Sequence, residues 1–168
     1  MINIKFAKLS DTAIIPSFSK TEDDACFDFY SDEDIIFERN ENTVVVKTGI
    51  ACEFEMSDNI SLTKDSNFFL NTDILHRLFK LSLKIEGRSG YASDGIFPTG
   101  GIIDSGYRGE IKIILNRANS YQVLLSKGSK IAQGKIELLP RISNIEVVDY
   151  SELSETVRGK DGLGSTGK

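Results

Sequence analysis

Residues 44–56 read VVVKTGIACEFEM. Val44, Val46, Thr48, Ile50, Cys52, Phe54 and Met56 make one face, and Val45, Lys47, Gly49, Ala51, Glu53 and Glu55 make the other. A pleated strand turns successive side chains to opposite sides, so this alternation predicts a half-buried strand pair, bent near Gly49. The same period recurs outward from it. Ile111, Ile113 and Leu115 alternate with Lys112 and Asn116. Ala132, Gly134, Ile136 and Leu138 oppose Gln133, Lys135 and Glu137. Short strands separated by frequent turns predict an all-β sandwich or barrel. Residues 71–80, NTDILHRLFK, break the pattern: Ile74, Leu75, Leu78 and Phe79 fall at helical spacing, with Thr72 as N-cap.

The chain has 168 residues, a length that suits one domain with a real core. Its formal net charge is −5. An acidic chain has no general attraction for a polyanion, which argues against a nucleic-acid or anionic-membrane surface. A local basic pocket for a small phosphate ligand is compatible with that charge. The single histidine, His76, excludes every site that needs two. Cys26 and Cys52 are too few for a disulfide scaffold. They read by default as small buried hydrophobes in a reducing cytosol, although two cysteines can pair. No leader-like segment and no membrane-length apolar run is visible, so a cytoplasmic protein is expected, in host cytoplasm if the gene is viral.

The glycines are clustered. Seven of the 14 lie between Gly87 and Gly109, and four lie in the last ten residues. Glycine is favoured where backbone turns sharply or approaches a ligand. Hairpin turns of a β-protein are the plainer explanation of such clusters. In GIIDSGYRGEIKI, residues 101–113, Ile102 and Ile103 carry Asp104 to a strand end beside a turn. Such a carboxylate can accept a proton from water, and the ring of Tyr107 can pack on a sugar. Asp104-Ser105-Gly106 also reads as a simple Asx-type turn. In GRSGYA, residues 87–92, Arg88, Ser89 and Gly90 sit in a glycine-bracketed loop. A guanidinium fork, a hydroxyl and free backbone N–H groups suit phosphate oxygens, or equally a polar surface turn. The tail RGKDGLGSTGK, from Arg158 to Lys168, reads as a phosphate strap or as a disordered end. It lacks the Walker A spacing.

Together these segments resemble the homotrimeric dUTP diphosphatase (dUTPase) family, through five motifs in order. They read Ala25-Cys26-Phe27-Asp28-Phe29-Tyr30-Ser31, Gly87-Arg88-Ser89-Gly90-Tyr91-Ala92, Gly101 to Glu110, Gly128-Ser129-Lys130-Ile131-Ala132-Gln133, and Arg158 to Gly167.

The resemblance implies a distorted jelly-roll (β-clip) subunit, a short helical insertion and a mobile glycine-rich C-terminal arm. The 168 residues would be one domain, with a lid from about 157. It implies Mg²⁺-assisted hydrolysis of dUTP to dUMP and pyrophosphate, limiting uracil in DNA and supplying dUMP for thymidylate synthesis. Asp104 would deprotonate the attacking water, and Tyr107 would exclude a 2′-OH. A hairpin from Pro98 to Asp104, with Gly101 and Ile103, would read uracil through its backbone. Arg88, Ser89, Gly90 and Gln133 would hold the phosphates, and Asp28 would reach the metal through water. Arg158, Leu163, Gly164, Ser165 and Thr166 would close over the nucleotide. The sites would be shared between chains of a homotrimer.

The chain departs from the family pattern at Cys26, Gly87 and Leu163, where the family has glycine, proline and a stacking phenylalanine. It also carries roughly 20 extra residues, about 61–80. These are read as a tolerated surface insertion, or as an accessory surface in which Ile74, Leu75, Leu78 and Phe79 dock on the trimer or on a protein partner. Two other functions compete with this one. A dCTP deaminase needs a catalytic glutamate ten residues after the Asp, where this chain has Ile114. A dUTPase-like nucleotide-sensing or protein-binding regulator is the alternative that retains the motifs.

Overall fold

The computed structural model describes residues 2–21, 23–56, 72–119, 122–157, 159 and 160. In chain order the strands are β1 (Ile2–Lys8), β2 (Ser17–Phe18), β3 (Phe27–Tyr30), β4 (Ile35–Phe37), β5 (Thr43–Lys47) and β6 (Ile50–Met56). After helix α1 (Thr72–Leu78) come β7 (Phe79–Glu86), helix α2 (Ser89–Ser93), β8 (Ile96–Thr99) and β9 (Ile102–Asp104). The rest are β10 (Lys112–Arg117), β11 (Val123–Leu125), β12 (Lys130–Pro140) and a 3-10 turn at Tyr150–Glu152. The architecture is all-β, as the alternation predicts. Among the described residues no helix is long and apolar enough to cross a membrane.

The stretch at 44–56 is two strands, and they belong to different sheets. β5 pairs antiparallel with β10, and β6 pairs antiparallel with β1. The change of sheet falls at Gly49, whose φ is +64°. A Cβ there would lie 2.8 Å from both Ala13 Cβ and an Asp32 carboxylate oxygen, so glycine is demanded by conformation and by space. The inward face is as expected: Val46, Thr48, Ile50, Cys52 and Phe54 are buried. They join Phe29, Phe37, Leu83, Ile111, Ile113, Leu115 and Ile131 in one core cluster or beside it. Each fully buried Leu, Ile or Phe stabilises such a core by roughly 1.5–3 kcal/mol. Both cysteines are free thiols.

The largest sheet runs β2-β3-β12-β7-β9, all antiparallel. Alternation along β12 holds for buried Ala132 and Gly134 but fails at Leu138, which is exposed. The reason is topological. β3 covers β12 only as far as Gly134, while β7 continues beside it to Pro140. Ile136 still packs against the core, and beyond it the strand outruns the core.

The helix expected over 71–80 is shorter. Phe79 and Lys80 are strand residues, paired with Pro140 and Leu139 of β12. Cross-strand pairing wins over the helical period there, and the segment between β6 and β7 is 57–78. Thr72 is the first helical residue rather than the cap. Leu75 is half-buried and Leu78 exposed, while residues 57–71 and the Ile74 side chain lie outside the described residues.

Candidate active site

Adjacent strands gather the first, second and fourth motifs. In the β3-β12-β7 ladder, Gln133 stands opposite Asp28 on one side and Glu86 on the other. The register of β12 shifts between Lys130 and Ala132. Lys130 pairs with Tyr30, which shares a strand face with Asp28. The bulge therefore brings Lys130 and Gln133, three residues apart, to the same face. Without it Lys130 would point away.

Asp28 is buried, and its carboxylate is fully engaged. Oδ1 lies 3.0 Å from Arg88 Nε. Oδ2 lies 2.8 Å from Lys130 Nζ and accepts a 2.6 Å hydrogen bond from the Ser19 hydroxyl. Burial alone pushes this carboxyl pKa up. Hydrogen bonds from Lys130 and Ser19 and the charge of Arg88 outweigh it, so the net direction is down. Asp28 is thus an anion held between two cations. Arg88 is gripped from a second side, because its Nη1 donates to the Lys130 carbonyl at 3.1 Å. A guanidinium pinned along two edges offers its remaining N–H groups in a set direction.

Arg88 is not in an irregular loop, as its glycine neighbours suggest. It is the extended N-cap residue of α2, and Ser89, Gly90, Tyr91 and Ala92 are helical. Gly87, Arg88, Ser89, Gly90, Asp94 and Gln133 are among the residues lining a hollow of about 590 Å³. Gln133 braces its floor: the side-chain amide donates to the Gly87 carbonyl at 2.7 Å.

Asp104 and Tyr107 lie elsewhere. Asp104 ends β9 opposite Ser82 of β7 and is exposed. Its carbonyl accepts from the Tyr107 N–H at 3.0 Å, which closes the turn. The Tyr107 hydroxyl donates to the Glu110 carbonyl at 3.0 Å. A Cβ on Gly109 would collide with that hydroxyl, so glycine lets the ring fold back over the turn. Glu110 ties the motif to the sheet crossover by accepting from Gly49 N–H at 3.0 Å. Arg108 donates to the Ser105 and Tyr107 carbonyls and pairs with Glu53. Ile102, Ile103, Asp104, Tyr107, Glu110 and Lys112 line a second hollow, of about 310 Å³. It shares no lining residue with the first.

The segment from Pro98 to Asp104 is not a hydrogen-bonded hairpin. β8 pairs with β10, while β9 pairs with β7. The chain changes sheets at Gly100 and Gly101. Gly101 is pressed on β7: its carbonyl accepts from Ile85 N–H at 2.7 Å, and a Cβ would lie 2.6 Å from the Ile85 carbonyl oxygen.

Sequence reasoning missed Lys130 and Ser19. Lys130 sits inside the fourth motif, so its location was a signal; nothing local marks Ser19. Arg158, Leu163, Gly164, Ser165 and Thr166 lie outside the described residues. Among the described residues no group of three or more His, Cys, Asp or Glu side chains is placed to hold a metal ion.

Residues 55–167 match the dUTPase family. A deoxyuridine 5′-triphosphate nucleotidohydrolase of Clostridioides difficile is 34% identical over 167 residues, spanning 99% of both chains. Among solved structures, a mutant dUTPase of Staphylococcus bacteriophage 80alpha with dUpNHpp is similar at a TM-score of 0.69, with 22% identity and 99% of both chains covered. A mutant dUTPase from phage phi11 of S. aureus, described for its coordination of a structural Mg(II) ion, is similar at 0.61. It is 20% identical, over 91% of this chain and 99% of that one. The jelly-roll-like β architecture is common to them, and with the motifs standing in order along it, the chain belongs to the dUTPase family.

Proposed function

We propose that this protein hydrolyses dUTP to dUMP and pyrophosphate, as one 168-residue domain acting in the cytoplasm. Asp104 accepts the proton of the water that attacks the α-phosphorus. The Tyr107 ring packs on the deoxyribose and leaves no room for a 2′-OH. Backbone around Pro98, Gly101 and Ile103 reads uracil. Arg88, Ser89 and Gly90 bind the phosphates, Gln133 holds the loop beneath them, and Arg158, Ser165 and Thr166 close over the nucleotide with Leu163 and Gly164. Positioning and charge neutralisation supply most of the acceleration in phosphoryl transfer.

A divalent ion fits this site only as a guest of the substrate. The described residues offer no cage, and both Asp28 oxygens are occupied by cations. Mg²⁺ suits such a setting because it binds phosphate oxygens and keeps several waters. When bound, it would neutralise triphosphate charge, and Asp28 would reach its water shell only by giving up one of its present partners, Arg88, Lys130 or Ser19.

The observation that carries this reading is the separation of the two hollows. Arg88 opens into one and Asp104 into the other. A homotrimer resolves this by supplying Arg88 and Asp104 to each site from different subunits. The C-terminal segment supports it: Ile142, Ile145 and Val147 are 74%, 83% and 96% exposed on a lone subunit. Such a run of apolar side chains is usually covered by a partner.

Mixing tests the arrangement. Arg88→Ala and Asp104→Asn subunits, each inactive alone, are co-refolded and assayed with dUTP. Shared sites predict recovery of activity in the mixture. Activity no higher than the sum of the two parents contradicts them.

A further inference from the structure

The insertion helix and the C-terminal segment meet at one residue. β7 and β12 end together, with Pro140 opposite Phe79. At that end α1 feeds directly into β7, and β12 feeds into the segment that starts at Arg141. The Arg141 N–H donates to the Leu78 carbonyl at 2.7 Å. Its Nε donates to the His76 carbonyl at 2.9 Å and the Phe79 carbonyl at 3.1 Å. The last carbonyls of a helix have no partners within the helix. Here one residue meets those of His76 and Leu78 as well as that of Phe79, and its positive charge suits a helix C-terminus.

Beyond Arg141 the described residues form no strand, and the next regular element among them is the 3-10 turn at Tyr150–Glu152. The side chains of Ile142, Ile145 and Val147 are exposed. The direction of the segment is therefore set at its root. Arg141 also lines a hollow of about 180 Å³ with His76, Phe79, Lys80 and Ser105, and Ser105 follows Asp104. Insertion helix, segment root and Asp104 turn converge there.

We propose that Arg141 is a positioning residue that clamps the root of the C-terminal segment to α1, so that the insertion helix sets the direction in which residues 142–157 leave the sheet. The kinetic part of this inference rests on the proposed dUTPase activity; the clamp does not. The insertion then has a role inside the enzyme, without any external partner.

The test uses the full chain with Arg141→Ala, and Arg141→Lys as a variant that keeps the charge. Hydrogen exchange of the amides at 75–78, measured without nucleotide, becomes faster in R141A and is largely restored in R141K. With dUTP, R141A raises KM by about fivefold with kcat within about twofold, the split expected of lost binding rather than lost chemistry. In an Arg158→Ala background the same substitution changes KM by less than about twofold, because both residues act through one segment. Unchanged exchange at 75–78 overturns the clamp. An undiminished KM effect in the Arg158→Ala background overturns its action through the segment. A wild-type protein that does not turn over dUTP sinks the proposed function, and the exchange result still decides the clamp.

Discussion

Arg88 Nε sits 3.0 Å from Asp28 Oδ1, and this contact ties the second motif to the first across strand β12. With Asp28 anchored by Lys130 and Ser19, the pair makes Arg88 a fixed element of the larger hollow rather than a free surface side chain. Asp28→Asn keeps the shape and removes the charge that balances two cations. Hydrogen bonds to charged groups contribute about 1.5–3 kcal/mol, so a loss of about 2 kcal/mol in urea unfolding is expected. KM for dUTP should rise about tenfold as Arg88 loosens. A variant with unchanged KM would show that Arg88 needs no anchor.

Asp32 predicts a pH dependence. Hydrogen bonds from the Ser10 and Thr12 hydroxyls, helped by Lys127, hold its carboxyl at about 2. The folded value lies below that of an unfolded Asp, near 3.9. Its stabilisation is therefore complete above about pH 4 and is lost as pH falls toward 2. Asp32→Asn should be less stable than wild type at pH 7, and the two should converge near pH 2. A stability gap that stays constant over that range contradicts the assignment.

Gly101 predicts a coupling between packing and chemistry. An added Cβ meets the Ile85 carbonyl oxygen at 2.6 Å, and that atom is backbone that cannot yield cheaply. Gly101→Ala should push β9 off β7 and carry Asp104 with it. Overpacking of this kind costs about 1–3 kcal/mol. A displacement of about 1 Å at the reacting group can cost on the order of a hundredfold in kcat. Equal kcat for variant and parent would show that Asp104 is placed independently of β9.

How much of this was legible in the sequence depended on range. The alternation at 44–56 showed the inward face correctly, because a strand's period is local, but Gly49 and Ala51 on the other face are buried as well. It did not show that β5 and β6 join different sheets, since partners come from residues far along the chain. The same limit hid the break at Gly100–Gly101, where a glycine-rich stretch imitated a hairpin. Asp104, Tyr107 and Arg88 could be singled out because motif spacing is local. Lys130's grip on Asp28 could not, because it depends on a bulge that no residue type announces. Phe79 and Lys80 carried a helical period and became strand through pairing with β12.

Leu163 gives a prediction from sequence alone. Leucine covers a base without aromatic stacking, so Leu163→Phe should tighten the closed state and lower KM for dUTP. Equal KM values would mean that this position does not touch the base.

The most direct test of the central claim is pyrophosphate release from the purified protein with Mg²⁺, offered dUTP, dTTP, UTP and dCTP separately. The account predicts release from dUTP alone, because backbone packed close to uracil rejects the thymine methyl and Tyr107 rejects the 2′-OH. No release from dUTP, or equal release from dTTP or UTP, would contradict it.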